Sequence, residues 1–227
     1  MKNIVIGIEG LVGSGKTSIC KKMLEYIPNS IILHGGNLYR GIVYALMRNS
    51  NDIDLRNLKA NIENIDIKEL MDKLKVEFKI ENRESIIYVN GTKIDEADLQ
   101  DENNSMAVSI AGGNADNKNL YIFAQNLIDM YKTKFNVIVS GRDLMKIYPK
   151  LDYHFFITAS LEERIKRKMN QYGDISNYED IKQNIIKRDE LQKKAGYYTI
   201  YDNTIEVDVT ECTSADESVL KVMKYIK

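Results

Sequence analysis

Short apolar runs bounded by polar or turn residues recur along this chain of 227 residues, and they alternate with stretches of helical period. Residues 3–9 (NIVIGIE) form a β-branched run bounded by glycine, the pattern of a buried parallel strand. Residues 16–27 then place Ile19, Cys20, Met23, Leu24 and Ile27 on one helical face. A second strand is expected at 30–34 and a helix across 36–48. Apolar strands return at 136–140 (NVIVS), 153–157 (YHFFI) and 204–208 (TIEVD). Between them a helix over 115–133 carries Leu120, Phe123, Leu127 and Tyr131 on one face. Helix 161–171 opens with the capping-box pair Ser160 and Glu163, and the last helix opens with Ser214 and Glu217. Strands that alternate with helices predict an α/β fold, a doubly wound parallel sheet flanked by helices.

One stretch has a different period. Residues 75–81 (KVEFKIE) and 85–91 (SIIYVNG) alternate apolar and polar positions around ENRE, which predicts a β-hairpin. The hairpin marks a small insert over roughly 62–104 within a single domain spanning 1–227.

The candidate chemistry begins where the first strand ends. Residues 10–17, GLVGSGKT, match G-x-x-x-x-G-K-[ST], the phosphate-binding loop. Gly10, Gly13 and Gly15 let backbone N–H groups turn inward around phosphate oxygens, with Ser14 and Ser18 alongside. Lys16 brings a point charge to the β- and γ-phosphates, and the Thr17 hydroxyl suits Mg2+. The helix that starts there adds its positive end. ATP and Mg2+ are therefore the expected cofactors. A GTPase would carry a base-reading N-K-x-D segment, which the sequence lacks. A motor would end a strand in a magnesium carboxylate, whereas strand 136–140 ends in Ser140 followed by Gly141, Arg142 and Asp143. An arginine at the C-terminal edge of a parallel sheet points to the ligand crevice.

Composition narrows the class further. Hydrophobic residues make up 44% and charged residues 29%, and 32 basic against 33 acidic side chains leave a net charge of −1. That balance excludes a bulk electrostatic footprint for nucleic acid, so an anion has to be gripped locally. Cys20 and Cys212 have no metal-ligand spacing and read as small buried hydrophobes of a reducing, cytoplasmic setting. The first apolar run is too short to cross a membrane and leads straight into a glycine loop.

Taken in order, these segments resemble the cytidylate kinases, the branch of nucleoside monophosphate kinases that phosphorylates (d)CMP. IEGLVGSGKT resembles the family's opening strand and loop, and LHGGNLYR at 33–40 resembles its L-D-T-G-x-x-Y-R segment. YVNGTKI at 88–94, VIVSGRD at 137–143, FITASLEER at 156–164, RDE at 188–190 and IEVDVT at 205–210 are similar to further family segments. Ser109, Ala111, Lys118 and Gln125 resemble a motif with serine, alanine, arginine and glutamine.

The resemblance implies in-line transfer of the γ-phosphoryl group of ATP to a nucleoside monophosphate. It also implies a mobile acceptor-binding insert and a helical lid near 160–190 that carries Arg164 and Arg167 toward ATP. Arg142, Asp143 and Arg188 would act with Lys16 in transfer, and Asp143 would assist Thr17 at the metal, with Glu9 as a further carboxylate. Gly36, Tyr39, Arg40, Ser109, Lys118, Gln125, Arg142 and Arg188 would hold the acceptor. Departures from the family pattern fall on residues that read base and sugar: His34 stands for a carboxylate, Gly35 for a hydroxyl, Ser140 for aspartate, Gln100 for arginine and Gln192 for aspartate. A kinase of another small acceptor, such as a deoxynucleoside or thymidylate, is the alternative reading. A nucleotide-binding regulator without turnover is another. Small nucleotides are the expected partners, without nucleic acid or membrane, and a monomer is the default.

Overall fold

The computed structural model describes residues 2–49, 71–72, 75–95, 98–99, 118–172 and 177–227. Strand β1 (Val5–Gly10) leads through the glycine loop into helix α1 (Lys16–Tyr26). Strand β2 (Ser30–His34) follows and runs directly into α2 (Gly35–Asn49). Next come β3 (Val76–Glu81), β4 (Glu84–Val89) and the short β5 (Thr92–Lys93). Helix α3 (Lys118–Lys132), β6 (Asn136–Ser140), the single turn α4 (Leu144–Ile147) and β7 (Tyr153–Thr158) complete the middle of the chain. Helices α5 (Leu161–Tyr172) and α6 (Tyr178–Lys194) precede β8 (Thr204–Asp208) and α7 (Ala215–Met223).

The strands form one sheet in the order β3-β4-β2-β6-β1-β7-β8, with β5 paired to β4 outside that path. Every pair from β4 through β8 is parallel, and only β3 and β5 run antiparallel to β4. Both faces of the central strands are covered, which is why those strands read as apolar throughout. Ile6, Ile8, Ile32, Ile138 and Phe155 pack with Ile19, Cys20 and Met23 of α1 and Val219 and Val222 of α7. Val5, Ile31, Leu33, Val137 and Val139 pack on the opposite face with Leu127, Ile128 and Tyr131 of α3 and Leu144 of α4. A third, smaller cluster joins Val12 of the glycine loop to Ile165 of α5 and Ile181 and Ile185 of α6. The side chains of Leu120 and Phe123 lie outside the described residues.

The expected hairpin is present, and it continues the central sheet. Its turn residues Asn82 and Arg83 both have positive φ, 48° and 66°, as a two-residue type I′ turn requires. β4 joins β2 through the parallel pair Ile32 and Glu84, and the Ile32 N–H donates to Arg83 O at 2.8 Å. The Arg83 guanidinium donates to Leu24 O at 2.7 Å, Ile27 O at 3.1 Å, Ser30 O at 2.8 Å and Ser30 Oγ at 2.7 Å. It thereby satisfies carbonyls that the end of α1 leaves without intrahelical partners.

Helix starts follow the expected caps with one difference. Ser214 Oγ accepts from the Glu217 N–H at 3.1 Å, and the Glu217 carboxylate returns to the Thr213 N–H at 2.7 Å. Ser160 Oγ accepts from the Glu163 N–H at 3.3 Å, but the Glu163 carboxylate turns to Arg167 Nε at 3.0 Å. The second half of that capping box is thus replaced by an ion pair along the helix. Among the described residues no helix is long and apolar enough to cross a membrane.

Candidate phosphoryl-transfer site

The glycine loop folds as its sequence demands. Gly10 has φ 145°, and a Cβ there would meet Ile157 O at 2.1 Å, so only glycine fits between β1 and β7. Gly15 has φ 95° and caps α1 in the left-handed conformation. Lys16 Nζ folds back over the loop and donates to Gly10 O at 2.9 Å and Leu11 O at 2.7 Å. Burial, followed by the charge of Arg142, lowers the Lys16 ammonium from 10.5 to about 8. Thr17 and Ser18 are exposed at the start of α1, and Ser14 Oγ is fully buried without a hydrogen-bond partner.

Lys16 is one of several cations at this end of the sheet. Arg142 follows β6, Arg188 lies on α6 and Arg40 on α2. Arg142 is exposed, yet nearby protein partly desolvates it. Desolvation, followed by the charge of Arg188 and with a further contribution from Arg40, lowers its pKa. Arg188 also lowers that of Lys16. Arg40 Nη1 donates to Asn37 Oδ1 at 3.4 Å. Arg142 and Arg188 have neither a carboxylate nor a hydrogen-bond partner among the described residues. A loop with glycines at positive φ and several cations close by is chemically suited to a polyphosphate anion.

Comparison with known proteins agrees with that chemistry. The family model for cytidylate kinase matches residues 6–227. The chain belongs to the cytidylate kinase family. It is 30% identical to the cytidylate kinase of Clostridioides difficile over 232 residues, covering 100% of this chain and 99% of the relative. The cytidylate kinase of Shouchella clausii is 28% identical, with 100% and 97% covered. That of Halalkalibacterium halodurans is 24% identical, with 100% and 99% covered. By membership the chain is an enzyme of the nucleoside monophosphate kinase class.

Other residues expected at a cytidylate kinase site take varied positions. Arg164 is buried; it donates to Val12 O at 3.1 Å and pairs with Asp189. Arg167 donates to Ser14 O at 3.0 Å, Val209 O at 2.7 Å and Cys212 O at 3.1 Å, and pairs with Glu163 at 3.0 Å. Both guanidiniums therefore bind the backbone of the phosphate loop from outside. Asp143 is buried with φ 58°, accepts from Tyr121 OH at 2.8 Å and lies 3.5 Å from Lys146 Nζ. Glu9 is buried, accepts from the Leu144 N–H and lies 3.3 Å from His154 Nε2. Gly36 lies in the first turn of α2 beside Arg40, and Gln125 is half-buried on α3. Ser109 lies outside the described residues, as do the side chains of Tyr39 and Lys118.

His34 ends β2 with Nε2 at 2.8 Å from Glu84 Oε2, and Lys21 lies 3.4 Å from Glu84 Oε1. Burial alone would raise the Glu84 pKa, but the hydrogen bond with His34 and the charge of Lys21 outweigh it and hold the carboxyl below its ordinary range. Sequence reasoning missed Glu84, Asp189 and Tyr198. Asp189 stood in the recognised RDE segment, but nothing local says that its oxygens reach Val12, 177 positions away. Tyr198 OH donates to Asp189 at 2.7 Å.

The loop fits ATP and Mg2+ on its own features. It offers a hard hydroxyl at Thr17 and an unpartnered buried hydroxyl at Ser14 beside a charged lysine. Mg2+ usually keeps several waters and takes few protein ligands besides substrate phosphates, which suits a site that offers it the exposed Thr17 hydroxyl.

Proposed function

We propose that this enzyme transfers the γ-phosphoryl group of ATP to a nucleoside monophosphate, with CMP and dCMP as the leading acceptors. The observation that carries this reading is the group of mutually repelling cations Lys16, Arg142 and Arg188 at the mouth of the phosphate loop. The carboxylate of Asp189 offsets only part of this repulsion at Lys16, and like charges held together are costly until an anion enters; a transferring phosphoryl group spreads its charge over several oxygens.

In this reading the loop N–H groups and Lys16 hold the β- and γ-phosphates, and Thr17 holds Mg2+, which neutralises phosphate charge when bound. Arg40 and Arg188 orient the acceptor phosphate, and Arg142 lies between acceptor and donor. Transfer needs alignment and preorganised positive charge and no covalent intermediate. The acceptor is enclosed by an insert over about 62–104 and a lid over about 160–190. A cytoplasmic setting belongs to the same reading, supported by the free, buried thiols of Cys20 and Cys212.

A coupled assay for ADP release across CMP, dCMP, UMP, AMP and dTMP tests the proposal. Turnover is expected with at least one monophosphate, and with CMP or dCMP among the acceptors used. Stabilisation by Mg-ATP without ADP release on any acceptor would replace the kinase reading with that of a nucleotide-binding regulator.

A further inference from the structure

The outer side of the phosphate loop is bonded to the helices that follow β7. Val12 N–H donates to Asp189 Oδ1 at 3.2 Å, while Val12 O accepts from Arg164, whose guanidinium also pairs with the second Asp189 oxygen. Tyr198 OH donates to Asp189 Oδ1 at 2.7 Å, and its ring stands edge-on to Phe156 with centroids 5.6 Å apart. Asp189 therefore has both oxygens engaged, and one of its partners is the backbone of the ATP-binding loop itself. Its neighbour on α6 is Arg188, a cation of the transfer site.

We propose that Asp189 is a positioning residue: by bonding Val12 it fixes the rotation and height of α6 against the phosphate loop, and so sets Arg188 in register with the bound phosphates. Successive residues of a helix point about 100° apart, so a helix pinned through Asp189 can present Arg188 in only a narrow arc. A displacement of about 1 Å at a transfer site can cost on the order of a hundredfold in rate, so such a pin has catalytic weight without touching substrate. Tyr198 and Arg164 hold the carboxylate from two other sides. Its position is thereby set by three elements: the glycine loop, α5 and the segment after α6.

The inference rests on the kinase reading, and a double-mutant cycle in kcat tests it. Asp189→Ala removes the acceptor of the Val12 N–H as well as the ion pair with Arg164. Measured on folded protein at saturating ATP and acceptor, it should lower kcat by about tenfold when Arg188 is present, and by less than about twofold in the Arg188→Ala background. A purely structural latch would instead give equal losses in both backgrounds, and that result overturns the inference while leaving the kinase reading intact. Tyr198→Phe provides a second arm if Asp189→Ala does not fold, since it removes one donor and leaves the carboxylate charged. It should show a smaller loss with the same dependence on Arg188, and equal losses there would again overturn the proposal. Absence of transfer by the parent enzyme to any monophosphate would defeat the kinase reading and this inference together.

Discussion

Lys16 shows how a single side chain can be prepared for its ligand. Its ammonium rests on two loop carbonyls, and burial together with the charge of Arg142 lowers its pKa to about 8. Below that pH both folded and unfolded chains carry the proton, and burying the charge counts fully against folding. Between about 8 and 10.5 the folded chain releases its proton first, so this cost is relieved as pH rises. Phosphate oxygens favour the charged form and reverse the shift. Mg-ATP binding at pH 8.5 should therefore take up a fraction of a proton, and at pH 6.5 none through this group. Calorimetry in buffers of different ionisation enthalpy measures the difference. Uptake that is unchanged in Lys16→Ala would assign the proton to another group. Arg142 makes the complementary case. Arg142→Ala should lower kcat by about a hundredfold, the scale of losing one preorganised charge donor. Because Arg142 depresses Lys16, the same variant should bind ATP at pH 9 at least as tightly as the parent. Weakened ATP binding with normal turnover would reverse the roles assigned to these two residues.

Among the elements, the hairpin differs most from its sequence expectation. Its alternating period was legible in KVEFKIE and SIIYVNG, and so was its turn. The strand beside which it lies was not, because pairing between β4 and β2 depends on contacts some 50 positions apart in the chain. The guanidinium of Arg83 makes the difference. A type I′ turn is best served by asparagine followed by glycine, yet this one has arginine at φ 66°, a conformation that costs an ordinary side chain energy. Its four hydrogen bonds to α1 and β2 offset that cost. Arg83→Gly should consequently destabilise the protein by about 1–2 kcal/mol despite giving the turn its preferred residue, since hydrogen bonds from a charged donor outweigh the backbone gain. Urea unfolding monitored by circular dichroism measures this. A stabilised variant would show that the turn and not the anchor dominates. The buried strands and α1, by contrast, were legible almost to the residue, because burial on both faces leaves an unbroken apolar run. The phosphate loop was equally plain, because its glycines answer local conformational demands. Asp189 and Glu9 were opaque for the opposite reason: their partners, Val12 and Leu144, belong to remote segments.

At the scale of the whole molecule, the proposed arrangement divides the site into a half that would grip phosphate and a half that would select the acceptor. The first half is set by the loop, Lys16 and the arginines, none of which touches a base in the proposed arrangement. The second half includes the end of β2, where His34 and Gly35 replace the carboxylate and hydroxyl of the family pattern. His34 is engaged with Glu84 at 2.8 Å, so one of its two nitrogens is already committed to the hairpin. A site that hydrogen-bonds its substrate rejects analogues because a mismatch strands buried polar groups. Each lost hydrogen bond is worth about 0.5–1.5 kcal/mol, so losing two or three should relax preference for CMP on the order of ten- to several-hundredfold. Phosphorylation of more than one monophosphate, with CMP or dCMP among them, is the expected outcome. The fold also dictates how that preference can be restored. His34→Asp alone would set a second carboxylate beside Glu84, and repulsion between them would raise a pKa or separate the pair. His34→Asp and Gly35→Ser should therefore recover CMP preference well only when combined with Glu84→Gln. Comparing kcat/KM for CMP and UMP in the double and triple variants measures the effect. Equal selectivity in the two would show that Glu84 has no part in acceptor choice. A parent enzyme that already prefers CMP and dCMP a thousandfold would show that other residues read the cytosine.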